Sequence, residues 1–270
     1  MEIPTNLPAD EHHVKCCGEK VYIAKTIAGG VVLGAEVCSS ASAEDLTKGY
    51  GEFKKEALAV DENYTPKTVN TDGWHATQTA WQTLFTTIVL IRCFLHAWLK
   101  IRDRSKHLKS LFFDIGRRVW NVYYSQTRAV MGQRIRRLWD WATKHWNGVV
   151  LEKTLDLCGK SKLWSVRYDH PDAHVTSNML DRLMRNQNRY FVRGQHFHGN
   201  ISSSNLRSRS WAILHNYRPW SPETATSNAG TACPAERLNG KRYSDDWLEN
   251  LLVAASIGGT KKLPPIIRND

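Results

Sequence analysis

Three aspartates stand where strand or helix patterns begin or end. A short β-branched run ends at Asp72, and Gly73 follows before a helical pattern begins. Asp10 lies in the first strand-like segment, and Asp181 opens a helix that is otherwise rich in arginine. Carboxylates that converge from separate elements hold two Mg²⁺ or Mn²⁺ ions about 4 Å apart in sites of phosphoryl transfer. We therefore predict that Asp10, Asp72 and Asp181 are catalytic and bind metal.

The elements that must position these side chains follow from the hydrophobic pattern. Pro4 and Pro8 favour a lead-in or an edge strand for residues 1–9. Two β-rich runs joined across Gly29-Gly30 predict a hairpin, and with the segment around Asp10 they make three antiparallel strands. The pattern then predicts a helix over 42–57, a strand over 67–72, a helix over 74–85, a strand over 88–91 and a helix over 93–109.

Residues 97–170 carry helical periodicity and almost no strand signal. Between 97 and 153 there are 13 Lys/Arg against 4 Asp/Glu. We predict a basic helical insertion here, in which Trp139, Trp141 and Trp146 either pack as core or stack on bases. The predicted units are 1–96 (first part of an α/β core), 97–170 (insertion), 171–218 (core helices with the third acid) and 219–270 (tail and helix). Within the later units we expect helices over 179–192, 203–217 and 245–257, a turn-rich stretch after Pro219 and a frayed end over 261–270.

The balance of charge points to a polyanionic partner. The chain has a net charge of +11 and a pI near 9.4, and nucleic acid is the commonest partner of such proteins. Between Arg182 and Pro222 there are seven arginines and no Asp, Glu or Lys, whereas a merely solvated basic face would include acids and lysines. We predict DNA binding by six of the arginines: Arg182, Arg185, Arg189, Arg193, Arg207 and Arg209.

The cysteines and apolar runs argue against a secreted or membrane protein. Six cysteines form no Cys-x-x-Cys pair, so we expect reduced thiols and a cytoplasmic location. The longest apolar run, 84–91, is too short to cross a membrane. Cys93 and His96 would be half of a zinc site, but no second pair stands at matching spacing. We interpret them as neighbours of the active site, with His96 contacting a phosphate or the helix of the third acid; a packed Cys and a satisfied His is the alternative.

Four stretches together resemble the DDE transposases of bacterial insertion sequences, in the Mutator-like group. They are Asp10-Glu11, 69–77 (VNTDGWHAT), Cys93-x-x-His96 and 176–182 (TSNMLDR), and 237–252 looks like a shared C-terminal segment. The resemblance implies an α/β, RNase H-like mixed sheet with an all-helical insertion before the third acid. It also implies cleavage and transfer of DNA strands with Mg²⁺ or Mn²⁺, binding of double-stranded transposon ends and target, a homo-oligomer on DNA and a nucleoid-associated location.

Two departures from that group keep alternatives open. Its third acid is usually Glu, whereas Asp181 is one methylene shorter, so Glu152, Asp169 and Asp172 remain rival ligands. Only nine residues precede Asp10, whereas the group generally carries an N-terminal region that recognises the transposon ends. A chain truncated at its N-terminus, or one whose partner region is encoded elsewhere, is therefore an expectation. A catalytically inactive DNA-binding remnant and a related junction or repair nuclease are the competing hypotheses.

Overall fold

A five-stranded mixed sheet forms the centre of the structure, a computed structural model that describes residues 3–108 and 110–256. Its strands are β1 (Asn6–Cys16), β2 (Glu19–Ala28), β3 (Val31–Cys38), β4 (Thr68–Thr71) and β5 (Val89–Arg92). They lie in the order β3-β2-β1-β4-β5. β1, β2 and β3 pair antiparallel, whereas β4 runs parallel to β1 and β5 parallel to β4. The predicted α/β class and the three antiparallel strands are confirmed.

The helices follow the predicted order. The first seven are α1 (Ala43–Val60), α2 (His75–Leu84), α3 (Phe94–Ser105), α4 (Ser110–Tyr123), α5 (Arg128–His145), α6 (Gly148–Gly159) and α7 (Ser161–Ser165). The later ones are α8 (Asn178–Arg193), α9 (Ile201–Tyr217), α10 (Pro222–Ser227), α11 (Pro234–Asn239) and α12 (Trp247–Ser256). The predicted helix over 93–109 ends sooner, because α3 gives way at Lys106 to a single 3₁₀ turn.

The prediction of a lead-in or edge for residues 1–9 was wrong, because β1 begins at Asn6 and is the middle strand of the sheet. Its backbone changes partner along its length. Asn6 to Pro8 pair with β4 alone, and pairing with β2 starts at Ala9. Pro8 has no N–H to donate, and it stands where one side of β1 has no neighbouring strand. The proline is therefore tolerated within a central strand.

The two faces of the sheet bury different residues, since successive side chains of a strand point to opposite sides. On one face Ala9 and Ala24 pack with Leu46 and Trp81 of α1 and α2. On the other face Val14 and Ile23 pack with helices α8 and α9. Asp10 therefore points toward α8, and Glu11 points toward α1 and α2.

The segment from α3 to α7 has a hydrophobic core of its own, which includes Trp98, Val119, Leu138 and Leu157. In the described part of this segment there is no strand, as the sequence predicted. Trp146 belongs to this core, and Trp141 packs against it. Trp139 instead is 42% exposed on α5.

The C-terminal region is more helical than expected. α10 and α11 occupy the stretch predicted as turns, and each is a short helix with proline in its first turn. α12 corresponds to the predicted helix over 245–257, of which Ile257 lies outside the described residues, as does the predicted frayed end. No described helix has the length and apolar character needed to cross a membrane.

Candidate metal centre

Asp10 lies on the α8 face of the central strand with little exposure to solvent. Its side chain is 14% exposed, and its Oδ1 accepts a hydrogen bond from the backbone N–H of Glu11 at 2.8 Å. Lys25 is the residue paired with it across the β1–β2 ladder. The strand thus fixes this carboxylate beneath the first turn of α8.

Asp181 reaches the same place from the start of α8. Ser177 is the N-cap residue, but its side chain makes no capping hydrogen bond to the helix backbone. Its hydroxyl instead donates to Asp181 Oδ2 at 3.0 Å and accepts from the Cys93 thiol at 3.4 Å. The side chain of this N-cap residue therefore serves to orient the acid.

His96 completes a group of three. It lies in the first turn of α3, and its Nε2 is 4.0 Å from Asp10 Oδ2. One ligand atom from each of Asp10, His96 and Asp181 lies within 4.8 Å of the other two. Such a group can bind a metal ion, and it joins residues from β1, α3 and α8.

Asp72 stands beside this group and is not a member of it. It follows β4 directly, and its Oδ1 accepts a hydrogen bond from the N–H of Trp74 at 2.7 Å. Its negative charge is close enough to raise the pKa of Asp10 and of Glu11. The structure therefore brings two of the three predicted acids into one group and leaves the third at its border.

The electrostatics of the site favour a cation. Burial raises the pKa of Asp10 to about 7, and the charges of Glu11 and Asp72 add to the effect. Burial opposes protonation of His96, but its contact with Cys93 and the charges of Asp10 and Asp72 outweigh that and raise its pKa to about 9. The group offers carboxylate oxygens from Asp10 and Asp181 and an imidazole nitrogen from His96, and carboxylate oxygens are the donors that Mg²⁺ and Mn²⁺ prefer.

Glu11 is a buried acid that the sequence analysis did not single out. Its Oε1 accepts hydrogen bonds from the Tyr50 hydroxyl at 2.6 Å and the Thr77 hydroxyl at 2.8 Å. Its Oε2 is buried without a partner. Burial raises the pKa of this carboxyl. The strand alternation next to Asp10 was the signal that could have identified it as facing the other core.

A polar layer lies between Asp10 and the body of α8. Lys25 is fully buried, and its Nζ donates to Gln187 Oε1, which is also 2.9 Å from His12 Nδ1. Burial lowers the pKa of Lys25 to about 7, against the attraction of Asp10. Burial and the Lys25 charge lower the pKa of His12 to about 4. These contacts fix α8 on the sheet.

Basic side chains surround Asp72 on its outer side. Arg92 donates to the carbonyl of Gly73 at 3.3 Å. Lys100, Lys153 and Lys160 line one cavity with Asp72, Arg92 and Asp156, and of these lysines Lys160 pairs with Asp156 and Lys153 with Glu152. A phosphate that approached Asp72 would meet the positive charges of Arg92 and Lys100.

The predicted arginine set does not form one surface. Arg182, Arg185, Arg189 and Arg193 are exposed along α8. Arg207 donates to the carbonyls of His196 and Gly194. Arg209 points elsewhere and pairs with Glu56. Four of the six arginines thus form an exposed basic stripe, because the helical spacing places them on one side of α8.

The rival acids and the Cys-His pair have other positions. Glu152 pairs with Lys153, Asp169 pairs with Arg128, and Asp172 is exposed. None of the three belongs to the metal-binding group. Of the pair, Cys93 contacts Ser177 at the start of α8, and His96 lies near both Asp10 and Asp181 of that helix. Comparison of the chain with protein-family models and with curated proteins gives no match.

Proposed function

We propose that this protein is a DDE-type transposase that cleaves DNA and transfers strands with Mg²⁺ or Mn²⁺. The observation that carries the proposal is the convergence of Asp10 and Asp181, with His96, from elements far apart in the chain. The negative charge of Asp72 beside them supplies the third acid. Asp10, Asp72 and Asp181 are the proposed metal ligands.

The topology supports an RNase H-like core. Three antiparallel strands are followed by two strands parallel to the first, in the order β3-β2-β1-β4-β5. The helical segment α3–α7 precedes the helix that bears Asp181. Both features are those that the resemblance to Mutator-like transposases implies, and this part of the argument rests on analogy of fold.

Each part of the site has a task in strand cleavage and transfer. Asp10, Asp72 and Asp181 would hold the metal ions, which would supply activation of an attacking water or DNA 3′ hydroxyl and stabilisation of the leaving oxygen. Arg92 and Lys100 beside Asp72 attract the phosphodiester. Ser177 orients Asp181, and the buried Lys25–Gln187 contact fixes α8. The arginine stripe of α8 positions the DNA backbone.

The partners belong to the same proposal. Double-stranded transposon ends and target DNA are the substrates, and the active form is a homo-oligomer on paired ends, associated with the bacterial nucleoid. The net charge of +11 and the exposed arginines of α8 support a DNA partner.

The test is metal-dependent cleavage of duplexes that carry the sequences flanking the coding region. We expect Asp10→Asn, Asp72→Asn and Asp181→Asn each to lower the cleavage rate roughly a thousandfold, because each removes several kcal/mol of charge stabilisation. Asp140→Asn on the exposed side of α5 is the matched control, and it should leave the rate unchanged. Full activity of Asp72→Asn, or activity in EDTA, would contradict the proposal.

A catalytically inactive DNA-binding remnant is the second candidate, and the position of Asp72 outside the metal-binding group favours it. It predicts salt-sensitive binding to the same duplexes. It also predicts no strand cleavage by the wild-type chain at any concentration of Mg²⁺ or Mn²⁺.

A further inference from the structure

A groove of about 950 Å³ lies between α8, α9 and α12. Four arginines line it: Arg189 and Arg193 from α8, Arg207 from α9 and Arg218 just after α9. None of the described residues that line the groove is acidic. We call this feature the arginine groove. A cluster of guanidinium groups without acids is suited to bind several negative charges.

Three of the four guanidinium groups are available to a ligand. Arg189, Arg193 and Arg218 are exposed, and their guanidinium groups form no hydrogen bond or ion pair within the described residues. Arg207 has a structural task, because it donates to the carbonyls of Gly194 and His196 and lies 5.6 Å from the centre of the Tyr190 ring. Arg207 is therefore held in place by the protein, whereas the charges of the other three arginines are not neutralised by it.

Aromatic surfaces accompany this charge. Tyr190 and Trp247 line the groove, and each is 39% exposed. Trp211 also lines it and stacks on His215, with a ring separation of 5.3 Å and an angle of 17°. Proteins that bind single-stranded nucleic acid combine cationic grooves with aromatic rings on which bases stack.

We propose that the arginine groove binds an unpaired segment of a DNA strand, with its phosphates on Arg189, Arg193 and Arg218 and a base on Trp247. Duplex DNA presents phosphates and base edges but keeps the faces of its bases in the stack. Only an unpaired strand offers a face to an exposed indole. The groove is also recessed between helices, whereas a duplex is contacted on a broad outer surface.

The groove is separate from the metal centre but lies on the same helix. Asp181 is in the first turn of α8 and Arg193 is its last residue, so roughly 18 Å of helix axis lies between them at 1.5 Å per residue. Stacked nucleotides at 3.4 Å each would cover that length with about five residues. The inference that the groove holds a strand running from the metal centre rests on the proposed function. The inference that the groove binds single strands does not depend on it.

The experiment measures fluorescence anisotropy of a labelled single-stranded DNA of mixed sequence, titrated with the Asp72→Asn protein so that cleavage does not intervene. We expect Trp247→Ala to weaken binding roughly tenfold, since base stacking on an aromatic ring contributes that order of affinity. Trp247→Phe should retain most of the affinity. Arg193→Gln should lower the slope of log affinity against log salt concentration by about 0.7, the value for one phosphate contact of a single strand.

Matched controls lie on α4 and α5. Phe113 is an aromatic residue 76% exposed on α4, and Arg136 is an exposed arginine of α5. Phe113→Ala and Arg136→Gln should leave affinity and salt slope unchanged. Equal weakening by these controls, or unchanged binding by Trp247→Ala and Arg193→Gln, overturns the proposal. The proposal is also overturned if the protein binds the same sequence as a duplex with equal affinity and Trp247→Ala does not change that affinity.

The two proposals fail separately. Groove-dependent binding of single strands by a wild-type chain that cleaves no DNA would leave the groove proposal standing and reject the transposase activity. Metal-dependent cleavage, together with single-strand binding that the groove variants leave unchanged, would support the transposase activity and reject the groove proposal.

Discussion

At the scale of single residues, the site concentrates negative charge that the protein alone does not neutralise. Burial raises the pKa of Asp10 and of Glu11, and the negative charge of Asp72 raises both further. His96 lies 4.0 Å from Asp10 and lowers the pKa of Asp10, and the attraction of Asp10 also acts on the buried Lys25. A bound divalent cation would neutralise this negative charge and so stabilise the folded protein.

Asp10 should make the metal-free protein less stable as pH rises. Its pKa increases from 3.8 to about 7 on folding, so the folded state binds the proton more tightly between those values and the free energy of unfolding falls through that range. Asp10→Asn removes this dependence. We expect the stability difference between variant and wild type to grow by up to about 4 kcal/mol from pH 4 to pH 8, at 1.36 kcal/mol per pKa unit.

Urea unfolding in EDTA at the two pH values measures that difference. Asp140→Asn is the control, and its difference from the wild type should not vary with pH. Addition of Mg²⁺ at pH 8 should stabilise the wild type more than Asp10→Asn, because only the wild type keeps the full ligand set. A constant difference between Asp10→Asn and wild type would show that Asp10 is not perturbed.

The sequence identified the acids more readily than their surroundings. Asp10 and Asp181 were predictable from residue type and from the ends of patterned segments. Lys25 was not, because its position beneath α8 depends on the register of β1 and β2, which periodicity does not specify. Strand alternation places Glu11 on the face opposite Asp10, but the contacts of Glu11 with Tyr50 and Thr77 depend on how α1 and α2 pack, which the local pattern does not specify.

At the scale of elements, three of the four candidate side chains stand where an element begins or ends, and Asp10 lies within β1. Asp72 follows β4, His96 is in the first turn of α3, and Asp181 is in the first turn of α8. The turn after β4 depends on Gly73, which has φ +91° and lies against Arg92. A Cβ on Gly73 would lie 2.3 Å from Arg92 Nε.

Gly73→Ala should therefore displace Arg92 and the end of β4. We expect a loss of about 1–3 kcal/mol from the strained backbone, together with a lower rate of DNA cleavage. Gly132→Ala, inside α5 with nothing within 4 Å of the added Cβ, is the control and should stabilise the protein by about 0.5–1 kcal/mol. Thermal or urea unfolding measures both, and an unaffected Gly73→Ala would rule out a constrained turn.

Elements with strong periodicity were predicted well, and short ones were not. The helix predicted over 42–57 is α1, which begins after Ser42, whose side chain accepts a hydrogen bond from the N–H of Asp45. α10 and α11 are six residues each, too short to show a helical period, and their prolines looked like turn signals. Pro8 led to the wrong prediction of a lead-in or edge strand, because a local pattern does not show that β1 changes its pairing partner along its length.

At the scale of the whole molecule, some of the positively charged side chains are paired with acids and others are not. Arg209 is neutralised by Glu56, whereas Arg182 and Arg185 are exposed on α8 and form no ion pair within the described residues. An arginine that already has a partner releases no counterion from DNA, so the two kinds differ in their contribution to binding.

Binding to duplex DNA should reveal that difference. We expect the double variant Arg182→Gln with Arg185→Gln to lower the slope of log affinity against log salt concentration by about 2, one for each phosphate contact. Arg209→Gln should leave the slope unchanged. Filter binding or anisotropy at several salt concentrations measures it, and an equal effect of Arg209→Gln would argue against the α8 stripe as the contact surface.

The metal-binding group joins the first strand to a helix from the last third of the chain, and this has a consequence during synthesis. A ribosome that adds 5–20 residues per second completes Asp181 roughly 10–30 s after Asp10. Until α8 has emerged and docked, the nascent chain carries Asp10 and His96 without their third partner. A reaction that needs all three residues therefore cannot occur in an incomplete chain, including one released early from a truncated mRNA.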